Sequence, residues 1–310
     1  MKILIVGTGV IGSLYGKALS EKHDVTHFVR KNKFDELNEK TVNYDIIDER
    51  FSDDLEISTG KYSYKCTTTA SDTYDLVIVP VNLYQLDSVL ETLTTENPNN
   101  KYLIFTLNWD GTDTIQKYLS DNQYIMGYPG GGGTFKDNLL YGNIGKDITI
   151  GSTSPHSANL LEIVNNIFTD CDFLPETSNE IIHWLWIHNV GTVPTWAGVY
   201  KYKNIDEFFD DKELFQNTYL ATKECFEICK KRGVDLSSYA EVEMYNMPCE
   251  TIYEMMKTNF KTNPVMERYT SHALKSFDEM KYNFNLIYNT GKSLNVTMPC
   301  LDYLYTLIYS

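Results

Sequence analysis

The chain has 310 residues, of which 42% are hydrophobic, with six cysteines and a net charge of −15. That length exceeds the usual single domain and predicts two domains with real cores. The acidic balance argues against a nucleic-acid or anionic-membrane partner, no run approaches the ~18 apolar residues of a membrane span, and the scattered cysteines build no disulfide framework. Met1 leads directly into an apolar strand instead of a leader sequence, so a cytoplasmic location is expected.

In chain order, Lys2-Ile3-Leu4-Ile5-Val6 reads as a buried strand, and Gly7-Thr8-Gly9-Val10-Ile11-Gly12 as a glycine turn opening a helix that runs to Ser20. Gly7 suits the tight turn, Gly9 the approach of a pyrophosphate to the backbone, and Gly12 the close packing of helix on strand. The amides of the first helical turn would face the anion. Gly7, Thr8, Gly9, Val10, Ile11 and Gly12 are therefore candidate dinucleotide contacts; the alternative is a plain turn between strand and helix. The next strand, 24–29, ends at Arg30-Lys31-Asn32-Lys33, where an NAD-binding chain carries a carboxylate for the ribose. A guanidinium instead offers a fork of donors to a 2′-phosphate, so Arg30 and Lys31 favour NADP(H) over a merely solvated basic turn.

Strand-like 75–81, helix-like 83–95, strand-like 102–107 and helix-like 112–120 continue a βαβ rhythm. Strands at 124–128, 138–141 and 147–150 leave no room for long helices between them, so the far side of the sheet is expected to turn antiparallel. Beyond residue 178 the spacing turns helical over 180–202, 212–232, 238–259, 276–294 and 298–309. The expected organisation is an α/β nucleotide domain, 1–177, followed by an all-α domain, 178–310, with the active site in the crevice between them. The run of Tyr, Phe and Met in the second half reads as core or as the interface of a homodimer. Cys225 and Cys229 share a helix face but lack further ligands for a metal, and read as small buried hydrophobes.

Several segments in order resemble the ketopantoate reductase family, whose members use NADPH to reduce a 2-oxo acid in pantothenate synthesis. Val79-Pro80-Val81-Asn82-Leu83-Tyr84-Gln85 is similar to the family's Val-Lys-x-x-Gln, with Asn82 in place of the lysine and Gln85 kept. Leu107-Asn108-Trp109-Asp110-Gly111 resembles its Gln-Asn-Gly-x-Gly turn, which implies that Asn108 lies beside nicotinamide and substrate. Gly130-Gly131-Gly132-Gly133 falls where the family's loop passes the cofactor, so Gly133 is expected to give a ligand close access to the backbone. Counting back from the shared Leu-Asn-Val-Thr-Met-Pro segment, 294–299, puts Glu279 on the catalytic glutamate, with Asp278 as the one-residue alternative. The resemblance implies a Rossmann-type NADP-binding domain followed by an all-α domain, as in the 6-phosphogluconate dehydrogenase-like superfamily.

The main departure lies in the first long helix of the second half. The family reads Trp-x-Lys with asparagines four and eight residues later; this chain has His188, Thr192 and Trp196 there. Hydride addition to a ketone needs a proton donor, and His188 is the candidate for it, with a carboxylate such as Glu279 favouring the charged imidazole. A core histidine in a tryptophan-rich helix is the plainer alternative. Thr192 and Trp196 imply a substrate pocket altered in shape and polarity, and Ser271 is matched to the family's substrate-binding serine. The expected activity is NADPH-dependent reduction of a small carbonyl compound, a 2-oxo acid by resemblance. The rivals are a non-catalytic NADP(H)-binding regulator and a related dehydrogenase or imine reductase.

Overall fold

The computed structural model describes residues 1–51 and 55–309. The chain divides into two compact units, Met1–Ile182 and His183–Ser310.

The first unit runs β1 (Lys2–Val6), α1 (Val10–Leu19), β2 (Asp24–Phe28), α2 (Phe34–Leu37), β3 (Thr41–Asp48), β4 (Ile57–Ser63), β5 (Cys66–Thr67) and β6 (Leu76–Val79). It continues through α3 (Leu83–Glu96), β7 (Tyr102–Phe105), α4 (Asp113–Gln116), β8 (Tyr124–Tyr128), β9 (Gly131–Lys136), β10 (Leu139–Ile144), β11 (Asp147–Gly151), α5 (Ala158–Thr169) and β12 (Leu174–Thr177). The main sheet has the order β12-β11-β8-β7-β6-β1-β2-β5. Its central pairs are parallel, and β11 joins β8 antiparallel. The direction of the chain across the sheet reverses between β1 and β6, the switch point at which open α/β sheets leave a crevice at their carboxyl ends. The central strands are apolar on both faces because α1 and its neighbours cover them: Ile3, Leu4, Ile5, Leu76, Val77 and Ile78 are wholly buried.

The expectation of one sheet is corrected by a second one, ordered β4-β3-β10-β9. The strand expected at 138–141 belongs to it, paired parallel with β3 and antiparallel with β9. Helix α1 packs on both sheets, with Leu14 in one apolar cluster with Ile3 and Ile5 of the first and Leu140 and Ile144 of the second. Tyr15 of the same helix stacks on Phe173 at 5.4 Å and meets Phe105 edge-on. Each such fully buried side chain contributes about 1.5–3 kcal/mol of transfer free energy.

The second unit is helical: α6 (Ile181–Val199, whose first two residues lie in the first unit), α7 (Ile205–Asp210), α8 (Lys212–Lys231), α9 (Ala240–Met244), α10 (Cys249–Thr262), α11 (Pro264–Ala273), α12 (Phe277–Ser293) and α13 (Pro299–Tyr309). Helix α8 buries Phe215, Tyr219, Cys225, Phe226 and Cys229 along one face. Its Glu224 carboxylate accepts the Cys300 and Leu301 amides at 3.0 and 2.8 Å, placing negative charge on the N-terminus of α13. The single helix expected over 238–259 is broken, because Pro248 cannot continue α9 and instead precedes α10. Pro264 opens α11, where its missing N–H costs nothing. No helix among the described residues is long and apolar enough to cross a membrane.

Candidate functional site

The glycine corner is built by local sterics. Gly7 leaves β1 at φ +84°, a conformation open to glycine. A methyl group on Gly12 would lie 2.8 Å from the Gly7 carbonyl oxygen, so this glycine lets α1 start directly against the turn. Gly9 differs: its φ of −65° and ψ of −178° suit any residue, and a methyl group there would meet nothing within 4 Å. Neither backbone conformation nor internal packing requires that glycine. Among the described residues no side chain caps α1, so the amides of its first turn keep their hydrogen-bonding capacity for an external acceptor. Open space, uncapped amides and a positive helix end together fit a pyrophosphate.

Arg30 and Lys31 are exposed just past β2, which pairs with β1 through Val6 and Phe28. Neither forms an ion pair among the described residues, whereas Lys33 is taken by Glu36 at 2.7 Å. Glycine corner and cations thus share the carboxyl edge of the parallel strands. Asn82 and Asn108 follow β6 and β7 along that same edge.

Their side chains are, however, engaged locally. Gln85 accepts the Asn82 amide at 3.3 Å as the partner of an N-cap on α3, and Asn82 Nδ2 donates to the Tyr84 hydroxyl at 2.7 Å. Asn108 is 1% exposed; its Nδ2 donates to the Gly111 carbonyl and its Oδ1 accepts the Asp110 amide at 3.0 Å, closing its own turn. The expectation for Gly133 is corrected. Gly133 (φ +148°) lies inside β9, where a methyl group would sit 2.2 Å from the Tyr141 carbonyl oxygen, so the close approach it permits is to its neighbour strand and not to a ligand.

In the helical unit His188 stacks on Trp184 at 5.0 Å with the rings 6° from parallel. Burial lowers its pKa to about 4. The ring is neutral at pH 7 because desolvation disfavours its charged form, which corrects the expectation of a cationic imidazole supported by Glu279. Thr192 donates back to the Asn189 and His188 carbonyls at 3.1 and 3.3 Å, Trp196 meets Phe260 edge-on at 5.9 Å, and Ser271 donates to the Arg268 carbonyl at 2.7 Å. Glu279, on α12, is half-buried and Asp278 is exposed. Burial raises the Glu279 carboxyl above the usual carboxylate range.

One residue was missed. Asn189 is 1% exposed, and among the described residues neither its Nδ2 nor its Oδ1 has a hydrogen-bond partner. An amide buried without partners costs about 1–3 kcal/mol, which a polar ligand would recover. The available signal was an amide inside the otherwise apolar stretch Trp186-Ile187-His188-Asn189-Val190.

The family model of Ketopantoate reductase PanE/ApbA matches residues 3–151. Over that segment the chain carries a ketopantoate reductase family domain. Solved structures share the fold. Dimeric ketopantoate reductase from Staphylococcus aureus is 13% identical, with a TM-score of 0.72 over 100% of this chain and 98% of that one. The 2-dehydropantoate 2-reductase from Geobacter metallireducens GS-15 is 15% identical, with a TM-score of 0.74 over 100% and 99%. D-mandelate dehydrogenase in a ternary complex with NADH and anilino(oxo)acetate is 14% identical, with a TM-score of 0.75 over 100% and 97%. No curated protein matches. The ketopantoate reductase domain ends at β11, so the residues named on α6, α11 and α12 lie outside the matched segment.

Proposed function

We propose that the chain is an NADPH-dependent reductase of a small 2-oxo acid. The observation that carries this is the glycine corner, open at Gly9 and uncapped at α1, with Arg30 and Lys31, which form no ion pair among the described residues, beyond the neighbouring strand. Gly7 to Gly12 would hold the pyrophosphate, and Arg30 and Lys31 the 2′-phosphate. The nicotinamide, when bound, supplies the hydride for carbonyl reduction.

The proton for the carbonyl oxygen is assigned to Glu279. A carboxyl whose pKa is raised by burial holds its proton closer to neutrality, and can release it to a developing alkoxide. His188, neutral, acts as a hydrogen-bonding group, and the unpartnered Asn189 amide binds a polar group of the substrate. Thr192, Trp196 and Ser271 are the further candidates for substrate contact. Ketopantoate is one candidate substrate; the fold is shared with D-mandelate dehydrogenase, and aryl 2-oxo acids belong in the same panel. A homodimer is the assembly supported by the dimeric Staphylococcus aureus neighbour.

The test is NADPH oxidation against a panel of 2-oxo acids, alongside titrations with NADPH and NADH. Turnover with preference for NADPH is expected. Failure to bind either nucleotide refutes the reading. Binding without turnover on any carbonyl or imine would leave a nucleotide-binding regulator, the reading favoured by a neutral histidine where the family has lysine.

A further inference from the structure

Behind the glycine corner lies a buried network that the proposed reaction does not use. His27, on β2, is wholly buried; its Nδ1 lies 2.9 Å from the Gly7 carbonyl oxygen and its Nε2 2.8 Å from the Tyr62 hydroxyl. A carbonyl only accepts, so Nδ1 carries the proton and Nε2 accepts from Tyr62. Beside it Ser13, also wholly buried, donates to the Thr8 carbonyl at 3.1 Å and shares a 2.8 Å bond with the Tyr64 hydroxyl. His27, Tyr62 and Tyr64 pack edge to face in pairs, with centroids 5.2–5.9 Å apart. Gly16 is required here: a methyl group on it would lie 2.6 Å from His27 Nε2 and 2.8 Å from the Tyr62 hydroxyl.

The consequence follows from peptide geometry. In a trans peptide the C=O of one residue and the N–H of the next point in opposite directions. Two consecutive carbonyls, of Gly7 and Thr8, are anchored inward. The Thr8 and Gly9 amides of those same peptide units are therefore directed the other way, toward the open space at Gly9. We propose that His27 and Ser13 are positioning residues for the dinucleotide loop, and that Tyr62 and Tyr64, from β4 and its exit, make the second sheet a determinant of nucleotide affinity. This rests on the dinucleotide reading above.

The test compares Tyr62→Phe, Ser13→Ala, His27→Leu and His27→Asn. Asparagine keeps an N–H near the position of Nδ1, while leucine keeps bulk alone. NADPH dissociation constants are read by fluorescence, and hydrogen exchange of the Gly7 and Ser13 amides, bonded to the Phe28 and Gly9 carbonyls, is read on ligand-free protein. Tyr62→Phe and Ser13→Ala, which remove single hydroxyls, are expected to melt as one cooperative unit, bind NADPH about tenfold more weakly and exchange those two amides about tenfold faster. His27→Asn is expected to recover most of the affinity lost in His27→Leu. Unchanged affinity and exchange in Tyr62→Phe and Ser13→Ala overturn the proposal, as does a His27→Asn variant no better than His27→Leu. If the unaltered protein binds neither nucleotide, the function reading fails on its own, and the exchange measurement alone decides whether the two carbonyls are anchored.

Discussion

Gly9→Ala and Gly12→Ala separate what a glycine does for the fold from what it does for a ligand. At Gly12 the added methyl group would sit 2.8 Å from the Gly7 carbonyl oxygen and 3.6 Å from Ile5 Cγ2. The first contact is short by about 0.5 Å, and the oxygen cannot retreat freely because His27 holds it; overpacking of this kind costs about 1–3 kcal/mol. At Gly9 the methyl group meets nothing and the backbone is already in a region alanine favours. A smaller unfolded-state entropy there is offset by the poorer N-cap, so stability should stay within about 1 kcal/mol of the parent. A pyrophosphate seated on the corner would meet that methyl group, and binding should weaken at least about tenfold, ~1.4 kcal/mol. Thermal melting and NADPH titration on both variants provide the assay. A Gly9→Ala protein that binds NADPH as tightly as the parent would refute the assignment of the open space to a phosphate.

Further outcomes are expected. Arg30→Ala should erode the preference for NADPH over NADH by about 1–3 kcal/mol, measured as the ratio of dissociation constants; equal affinities in the parent would remove the 2′-phosphate assignment. The protonated form of Glu279 is present below its raised pKa and lost above it, so the reductive rate should fall as pH rises through that value, and Glu279→Gln should lower kcat by about 10²–10⁴ and flatten the limb. His188, titrating near pH 4, should contribute no limb between pH 5 and 9, and a limb that vanishes in His188→Gln would contradict its burial. Arg50, whose side chain is fully buried, binds Asp48 at 2.8 Å and Glu21 at 3.1 Å; Arg50→Met should cost about 3–5 kcal/mol in denaturant melts by leaving Asp48 buried and unpaired by arginine. Burial opposes ionisation of Asp48, but the Arg50 bonds and the Arg50 and Lys17 charges outweigh it and hold the carboxyl below its usual range. That stability is present above the unfolded carboxylate value, about 3.9, and should be lost as pH falls below it through the folded one; a parent protein equally stable at pH 6 and pH 2.5 would refute this.

The glycine corner, the basic turn at Arg30 and Lys31, and helices such as α3, α8 and α12 were legible in the sequence because their causes are local: a turn needing positive φ at Gly7, a packing limit at Gly12, an apolar stripe at helical spacing. The second sheet was not. Strands β3 and β4 interleave polar with apolar residues, and β3 finds its parallel partner β10 only across some ninety residues of chain, where Asn43 faces Leu139. The glycines at 130–133 looked like a ligand-facing loop, yet tertiary pairing made three of them strand residues, and a methyl group on Gly131 or Gly133 would strike the Asn143 or Tyr141 carbonyl oxygen of the neighbouring strand. Asn108 was legible as a special residue, but only the folded turn decided that its amide closes on Asp110 and Gly111. The charge of His188, the proton affinity of Glu279 and the unpartnered amide of Asn189 depend on how much water the surrounding helices exclude. Desolvation is a property of the packed whole, so residue type and spacing set the candidates while tertiary structure set their protonation and their partners.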